Sequence, residues 1–313
     1  MSTIEVQAPG LLTTVQDLGR ERFGPMGVSP SGAADAVSLR LANRLVGNAE
    51  GAAGLEMTLV GGAFRFPQGA VIALSGSDFG ATLDGEAVGL WASVQVQPGW
   101  ILQMGATRSG ARCYLCVQGG IAVQPLLGSA STHVLSGLGG FEGRALRRGD
   151  VLRIGPAKDP FRKRTVTPRA LDSLSPRRVL RVTAGPQSDW FSESSQRAFY
   201  ASAYRVAEES NRMGLRLEGA PVAAESGREM ITEGVPLGAV QVPASGQPII
   251  LFVEQQTTGG YPKIANVISA DLHSVGQLRP RDEIRFERVE FETAQSLLRE
   301  QETLIAWEKL IQE

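Results

Sequence analysis

Short apolar runs, alternating or continuous and broken by Gly, Pro and Asp-Gly, recur along most of the chain, whereas helix-period patterns are few. The strongest run is Ile249-Ile-Leu-Phe-Val253. Its five consecutive apolar residues exceed what a strand with one wet face accommodates, so it predicts a strand buried on both faces. Shorter strands are predicted at Ile4 to Gln7, Val179-Leu-Arg-Val-Thr183, Tyr204-Arg-Val206, Gly214-Leu-Arg-Leu217 and Met230-Ile-Thr232, and Asp84-Gly85 marks a hairpin turn. Three helices are expected. The first covers about 33–46, with Val37, Leu41 and Leu45 inward, Ser29 or Ser31 as cap and Gly47 as stop. The second is a short helix over 188–200. The third covers 291–312, with Ala294, Leu297, Leu298, Leu304, Ile305 and Ile311 on one face. The N-terminal half therefore reads as an antiparallel β domain carrying one helix.

A length of 313 residues suggests two domains. Residues 156–176, with Pro160, Pro168, Lys158, Arg162, Lys163 and Arg164, are the best linker candidate, read as a solvated connector. Leu146-Arg-Arg-Gly-Asp-Val-Leu-Arg-Ile154 echoes Leu278-Arg-Pro-Arg-Asp-Glu-Ile-Arg-Phe286, which suggests a duplication. A net charge of −1 argues against a nucleic-acid-binding stripe. No apolar run approaches the ~20 residues that span a bilayer, and the N-terminus has no signal-peptide pattern, so a cytoplasmic location is expected. Cys113 and Cys116 lack the second half of a zinc site and read as core thiols on opposite faces of a strand.

Candidate chemistry gathers in two places. After the apolar run comes Glu254-Gln-Gln-Thr-Thr-Gly-Gly-Tyr-Pro-Lys263. In this loop Thr257 and Thr258 offer hydroxyls, while Gly259 and Gly260 allow N–H groups to turn toward an oxygen anion or an amide; the competing reading is a plain tight turn. The second cluster is Thr13, Thr14, Gln16, Asp17 and Arg20 with Ser31 and Asp35. It reads either as a structural network, including an Asp17–Arg20 pair, or as the wall of a site. No phosphate-binding G-x-x-x-x-G-K-[ST] loop, nucleophile elbow or H-E-x-x-H is present, and neither His133 nor His273 sits in a triad-like neighbourhood.

Several ordered motifs resemble one family. They are Gly10-Leu-Leu-Thr-Thr-Val-Gln-Asp-Leu-Gly-Arg20, Ser31-Gly-Ala-Ala-Asp35, Ala42-Asn-Arg-Leu-Val-Gly-Asn48, Gly119-Gly-Ile121, Gly128-Ser-Ala-Ser-Thr132, Asn211-Arg-Met-Gly-Leu-Arg-Leu-Glu-Gly219, Glu233-Gly-Val-Pro-Leu-Gly-Ala-Val-Gln-Val-Pro243 and Gln256-Thr-Thr-Gly-Gly-Tyr-Pro262. Together they are similar to the family of 5-oxoprolinase C subunits, also described as allophanate hydrolase subunit 2 or biotin-dependent carboxyltransferase, which includes an antagonist of a kinase inhibitor. The likeness is least close at Asn211, Thr232 and Glu254-Gln255. It implies a mainly β fold: two cyclophilin-like β-barrel domains over 1–160 and 177–289, a few helices, and a C-terminal helix over 290–313. It also implies two partners, a kinase-inhibitor-like 5-oxoprolinase B subunit and a 5-oxoprolinase A subunit, with ATP bound on a partner and no cofactor or metal on this chain.

Three functions compete under that resemblance: ATP-dependent opening of 5-oxoproline to glutamate, carboxyl transfer from biotin carried on another protein to a urea-like acceptor, and non-catalytic binding of a kinase-inhibitor-type partner. The substrates of the first two present a carbonyl flanked by N–H. The expected catalytic residues are Gln256, Thr257, Thr258, Gly259 and Gly260, as donors to that oxygen, with Gln241 or Gln256 accepting from the N–H. Thr13, Thr14, Gln16, Asp17, Arg20, Ser31, Asp35, Gln241, Tyr261 and Lys263 are the expected substrate-binding residues. Lys263 is read either as the partner of a substrate carboxylate or as an ordinary surface lysine.

Overall fold

A computed structural model describes residues 2–157, 160–225 and 230–312; Lys158 of the expected linker lies outside the described residues. The chain forms two units, Met1–Arg20 with Ser31–Leu174 and Leu304–Glu313, and Glu21–Pro30 with Ser175–Thr303. The first contains β1 (Thr3–Ala8), β2 (Leu12–Gln16), α1 (Ala36–Leu45), β3 (Gly54–Thr58), β4 (Ala63–Arg65), β5 (Ala70–Gly76), β6 (Thr82–Leu83), β7 (Glu86–Ala87), β8 (Ser93–Val96), β9 (Ile101–Gln103), β10 (Arg112–Val117), β11 (Val151–Arg153), β12 (Thr165–Val166) and α2 (Pro168–Ser173). One sheet runs β11-β1-β4-β9-β6-β7 and the other β2-β3-β10-β5-β8. Central β10 is buried throughout, and its period-two alternation divides two cores. Cys113, Leu115 and Val117 pack with Ile4, Phe64 and Leu102 of the other sheet. Tyr114 and Cys116 pack on the opposite side, with Leu41 and Leu45 of α1. Both cysteines are thus buried core thiols on opposite faces, and burial pushes the Cys113 thiol up to about 12.

The second unit adds β13 (Val179–Ala184), α3 (Glu193–Ala201), β14 (Tyr204–Val206), β15 (Gly214–Gly219), β16 (Glu233–Gly234), β17 (Ala239–Gln241), β18 (Ile249–Leu251), β19 (Thr258–Gly259), β20 (Lys263–Val267), α4 (Leu272–Gly276), β21 (Glu283–Arg288) and most of α5 (Phe291–Ala306). Seven of these strands close a barrel in the order β13-β20-β17-β18-β15-β14-β21, antiparallel except where β13 meets β21. The apolar run supplies β18, paired on both edges, although the strand ends at Leu251, earlier than its hydrophobicity suggests. Phe252 leaves the ladder, its N–H donating to Met213 O, and the chain turns there. Phe199 of α3 stacks on Phe286 of the barrel at 4.6 Å between ring centres.

The short sequence echo is matched in three dimensions. In both units an aspartate closes the turn before the strand: Asp150 Oδ2 accepts from Arg147 N and Asp282 Oδ2 from Arg279 N, each at 2.7 Å. Val6 N donates to Asp150 O and Val206 N to Asp282 O, both at 2.9 Å. The four-strand order β11-β1-β4-β9 of the first unit has its counterpart in β21-β14-β15-β18 of the second, with the same chain order and the same antiparallel sense.

Four expectations are corrected. Helix α1 starts at Ala36, and its cap is Asp35, which accepts from Ser38 N at 2.9 Å; neither Ser29 nor Ser31 caps it. Residues 165–174 are no solvated linker, because Val166, Ala170 and Leu174 join the α1 core. Helix α5 stops at Ala306; after it, β22 (Ile311–Gln312) pairs with β12, and Ile305 and Leu310 are buried in that same core. The strand expected at Met230-Ile-Thr232 is absent, and the ladder begins at Glu233.

Candidate functional site

The loop after β18 is fixed at its root by a buried ion pair, Arg212 Nε to Glu254 Oε1 at 2.5 Å, and by Gln255 Nε2 donating to Val235 O at 2.9 Å. Ser29 Oγ donates to the carbonyl of Gln255. From there the chain forms a two-stranded ribbon in which Gly259 faces Glu233 and Thr258 faces Gly234, and Val235 N donates to Thr257 O at 3.1 Å. The ribbon changes the role expected of the glycines. Neither Gly259 nor Gly260 has a left-handed φ, so no anion-cradling turn of N–H groups forms at these two residues. Gly259 instead permits close approach: a Cβ there would collide with Gln241 Nε2 and lie 2.9 Å from Gln256 Nε2.

Gln241 ends β17 and is 2 % exposed, and its amide nitrogen has no hydrogen-bond partner. Such a buried, unsatisfied donor is costly unless a ligand completes it. Opposite Gln241 on β20 stands Lys263, where the ladder slips by one residue. Bulges of this kind re-aim side chains and occur next to active sites. Lys263 is 1 % exposed, which excludes the surface-lysine reading. Its ammonium lies 2.7 Å from Glu233 Oε1, and Gln187 Nε2 donates to the same oxygen at 3.0 Å. The Lys263 hydrogen bond, followed by that of Gln187, holds the Glu233 carboxyl below its ordinary range. Met230 Sδ lies 4.0 Å from Nζ.

Two cavities open on this cluster. A cleft of about 460 Å³ is bounded by Asn211, Arg216, Gln241, Gln247, Gln256 and Tyr261 among others. A smaller cavity of about 270 Å³ is bounded by Trp190, Val222, Met230, Gly260 and Tyr261. Tyr261 lines both. Gln241, Gln256, Gly259, Gly260, Tyr261 and Lys263 are therefore brought together. Sequence reasoning missed Glu233, Gln187 and Met230 as members of the site; only the barrel register and the ribbon join these positions.

The first-unit cluster is built differently. The Asp17 carboxylate accepts from Gly19 N at 2.8 Å, Ser129 Oγ and Ala130 N at 2.6 Å, and Ser131 Oγ, so it clamps the 128–132 loop. Arg20 Nη2 donates to Ser131 O. Thr13 Oγ1 donates to Pro9 O, and Gln16 Nε2 bridges Thr14 Oγ1 and Thr132 O at 3.0 and 3.1 Å. Asp35 caps α1, and its N–H donates to Tyr114 Oη, which donates in turn to Glu56 at 2.7 Å. Asp17 and Asp35 are thus committed to the fold. The Ser31 hydroxyl and Gln16 Oε1 are buried without a partner. Ser136 N donates to His133 Nδ1 at 3.1 Å, and His273 contacts Ser274 Oγ through Nε2 at 3.4 Å and Gln301 Nε2 through Nδ1 at 3.5 Å. Among the described residues no group of three or more His, Cys, Asp or Glu is placed to hold a metal, and no helix is long and apolar enough to cross a membrane.

The chain is mostly β, with a closed barrel, an internal repeat and an amide-lined cleft. The family profile "carboxyltransferase domain, subdomain A and B" matches residues 26–288, and the chain belongs to that family. It is 38 % identical to the 5-oxoprolinase C subunit of Escherichia coli (strain K12) over 307 residues, 97 % of this chain and 98 % of that protein. It is 36 % identical to urea amidolyase of Saccharomyces cerevisiae over 97 % of this chain, but spans only 18 % of that protein. Among solved structures, Kluyveromyces lactis urea carboxylase superposes with a TM-score of 0.89 at 34 % identity, covering 97 % of this chain and 29 % of that one.

Proposed function

We propose that the chain is the C component of an ATP-dependent 5-oxoprolinase, opening the lactam of 5-oxoproline to glutamate together with A-type and B-type partners. The observation that carries this reading is the 38 % identity to the Escherichia coli 5-oxoprolinase C subunit over 97 % of this chain and 98 % of that protein. The site chemistry supports it. A lactam presents an acceptor oxygen beside a donor N–H, and the Gln241 and Gln256 amides, meeting over Gly259, each offer a donor and an acceptor. Donors held in place before charge develops on the carbonyl oxygen lower the barrier to attack on it. ATP is assigned to a partner, since the sequence holds no phosphate-binding loop of the Walker type.

The test is a leave-one-out assay of this chain with the A-type and B-type partners, ATP and 5-oxoproline. Glutamate and ADP should appear only when all three proteins are present; glutamate at an undiminished rate without this chain contradicts the assignment. The urea carboxylase likeness favours a second reading, carboxyl transfer to a urea-like acceptor. The same two amides suit a ureido ring, and biotin, which would supply the carboxyl group, would arrive on another protein. An assembled complex that makes no glutamate but carboxylates urea in the presence of a biotin carrier would establish it.

A further inference from the structure

We infer that Glu233 is a place-holder: its carboxylate occupies an anion site built on Lys263, and the carboxylate of a small cyclic ligand takes its place. The inference rests on the 5-oxoprolinase reading for the ligand's identity but not for the existence of the anion site.

The two partners differ sharply in burial. Lys263 is 1 % exposed, while the Glu233 side chain is 45 % exposed. A buried ammonium left without a counter-charge is strongly disfavoured, so the charged Lys263 favours an anion beside it. Glu233 is the partner able to leave, because it sits on a two-residue ribbon strand and can swing into water without burying its charge. Exchange for a ligand carboxylate conserves the net charge of the site, and Gln187 Nε2, now 3.0 Å from Glu233, remains as a second donor. Room for the rest of the ligand lies alongside. Met230, 4.0 Å from Nζ through its sulfur, also lines the cavity of about 270 Å³ walled by Trp190 and Tyr261. Methionine is the side chain best suited to repack as a ring enters. Gln241 stands directly across the ladder from Lys263, so one small molecule can reach both.

The test is calorimetric titration of the full chain with 5-oxoproline and with 2-pyrrolidinone, the same lactam without a carboxylate. Glu233→Gln should bind 5-oxoproline roughly tenfold tighter than wild type, the scale of one charge-assisted hydrogen bond freed from competition, and 2-pyrrolidinone unchanged. Because Glu233→Gln leaves Lys263 without its anion, the melting temperature provides a second measurement: acetate should raise it for Glu233→Gln and not for wild type or Lys263→Met. Unchanged or weaker 5-oxoproline binding by a folded Glu233→Gln, or no acetate effect on its melting temperature, overturns the exchange. Acetate stabilisation of Glu233→Gln in a protein whose complex makes no glutamate leaves the anion site standing and removes only the 5-oxoprolinase reading.

Discussion

At Gly259 a single missing carbon sets the geometry of the cleft. The extended backbone there is open to any residue, so its requirement is space for the Gln241 and Gln256 amide nitrogens. The two nearest neighbours are the far ends of flexible side chains, and the third, Val235 Cγ1 at 3.1 Å, needs to give only a few tenths of an ångström, so a Cβ should displace the amides without unfolding the barrel. Gly259→Ala is expected to leave the melting temperature within a few degrees of wild type and to lower turnover of the assembled complex by roughly ten- to a thousandfold, the range for losing one oxyanion donor. Wild-type turnover would show that the amides do not act on the reacting carbonyl. The loop itself is legible in the sequence, since Thr-Thr-Gly-Gly after a doubly buried strand predicts a polar segment leaving a core. The purpose of its glycines is not, because a glycine kept for φ and one kept for close approach look the same in sequence. Asp17 shows the converse. A carboxylate beside threonines and an arginine reads as chemistry until the 128–132 loop is seen to use both of its oxygens.

Among the elements, the aspartate turn that feeds β11 and β21 is the clearest mark of duplication. The two copies differ at their left-handed position, where the first has Gly149 at φ 91° and the second Arg281 at φ 72°. A side chain at such a φ costs on the order of 1 kcal/mol, and the exposed Arg281–Glu208 pair returns little of it. Arg281→Gly should therefore raise stability by about 0.5–1 kcal/mol in reversible denaturation; a loss of stability would show that the arginine makes a contribution larger than its strain. Periodicity identifies α1, β13, β14 and β15 because each buries one regular face. It overruns at α5, whose apolar pattern continues through Ile311 although the chain past Trp307 has turned to pair with β12. Hydrophobic spacing alone does not separate a helix end from the short strand that follows it in the same core.

For the whole molecule, the strand-rich architecture can be read in the sequence because short apolar runs punctuated by turn residues permit few alternatives, whereas the assignment of Glu21–Pro30 to the second unit cannot. The meeting of Glu233, Gln187 and Lys263 cannot, since it depends on barrel closure, a one-residue slip in the β17–β20 ladder and the β16–β19 ribbon acting together. Central to the proposed chemistry is the buried, unpartnered Gln241 amide nitrogen, assigned there as a ligand group rather than a defect of packing. The most direct measurement is the rate of glutamate formation by the reconstituted three-protein complex carrying Gln241→Met, which keeps the side-chain length and removes the amide, with complex assembly checked by gel filtration. Normal assembly with turnover lowered at least tenfold is the predicted result; normal assembly with wild-type turnover would contradict it.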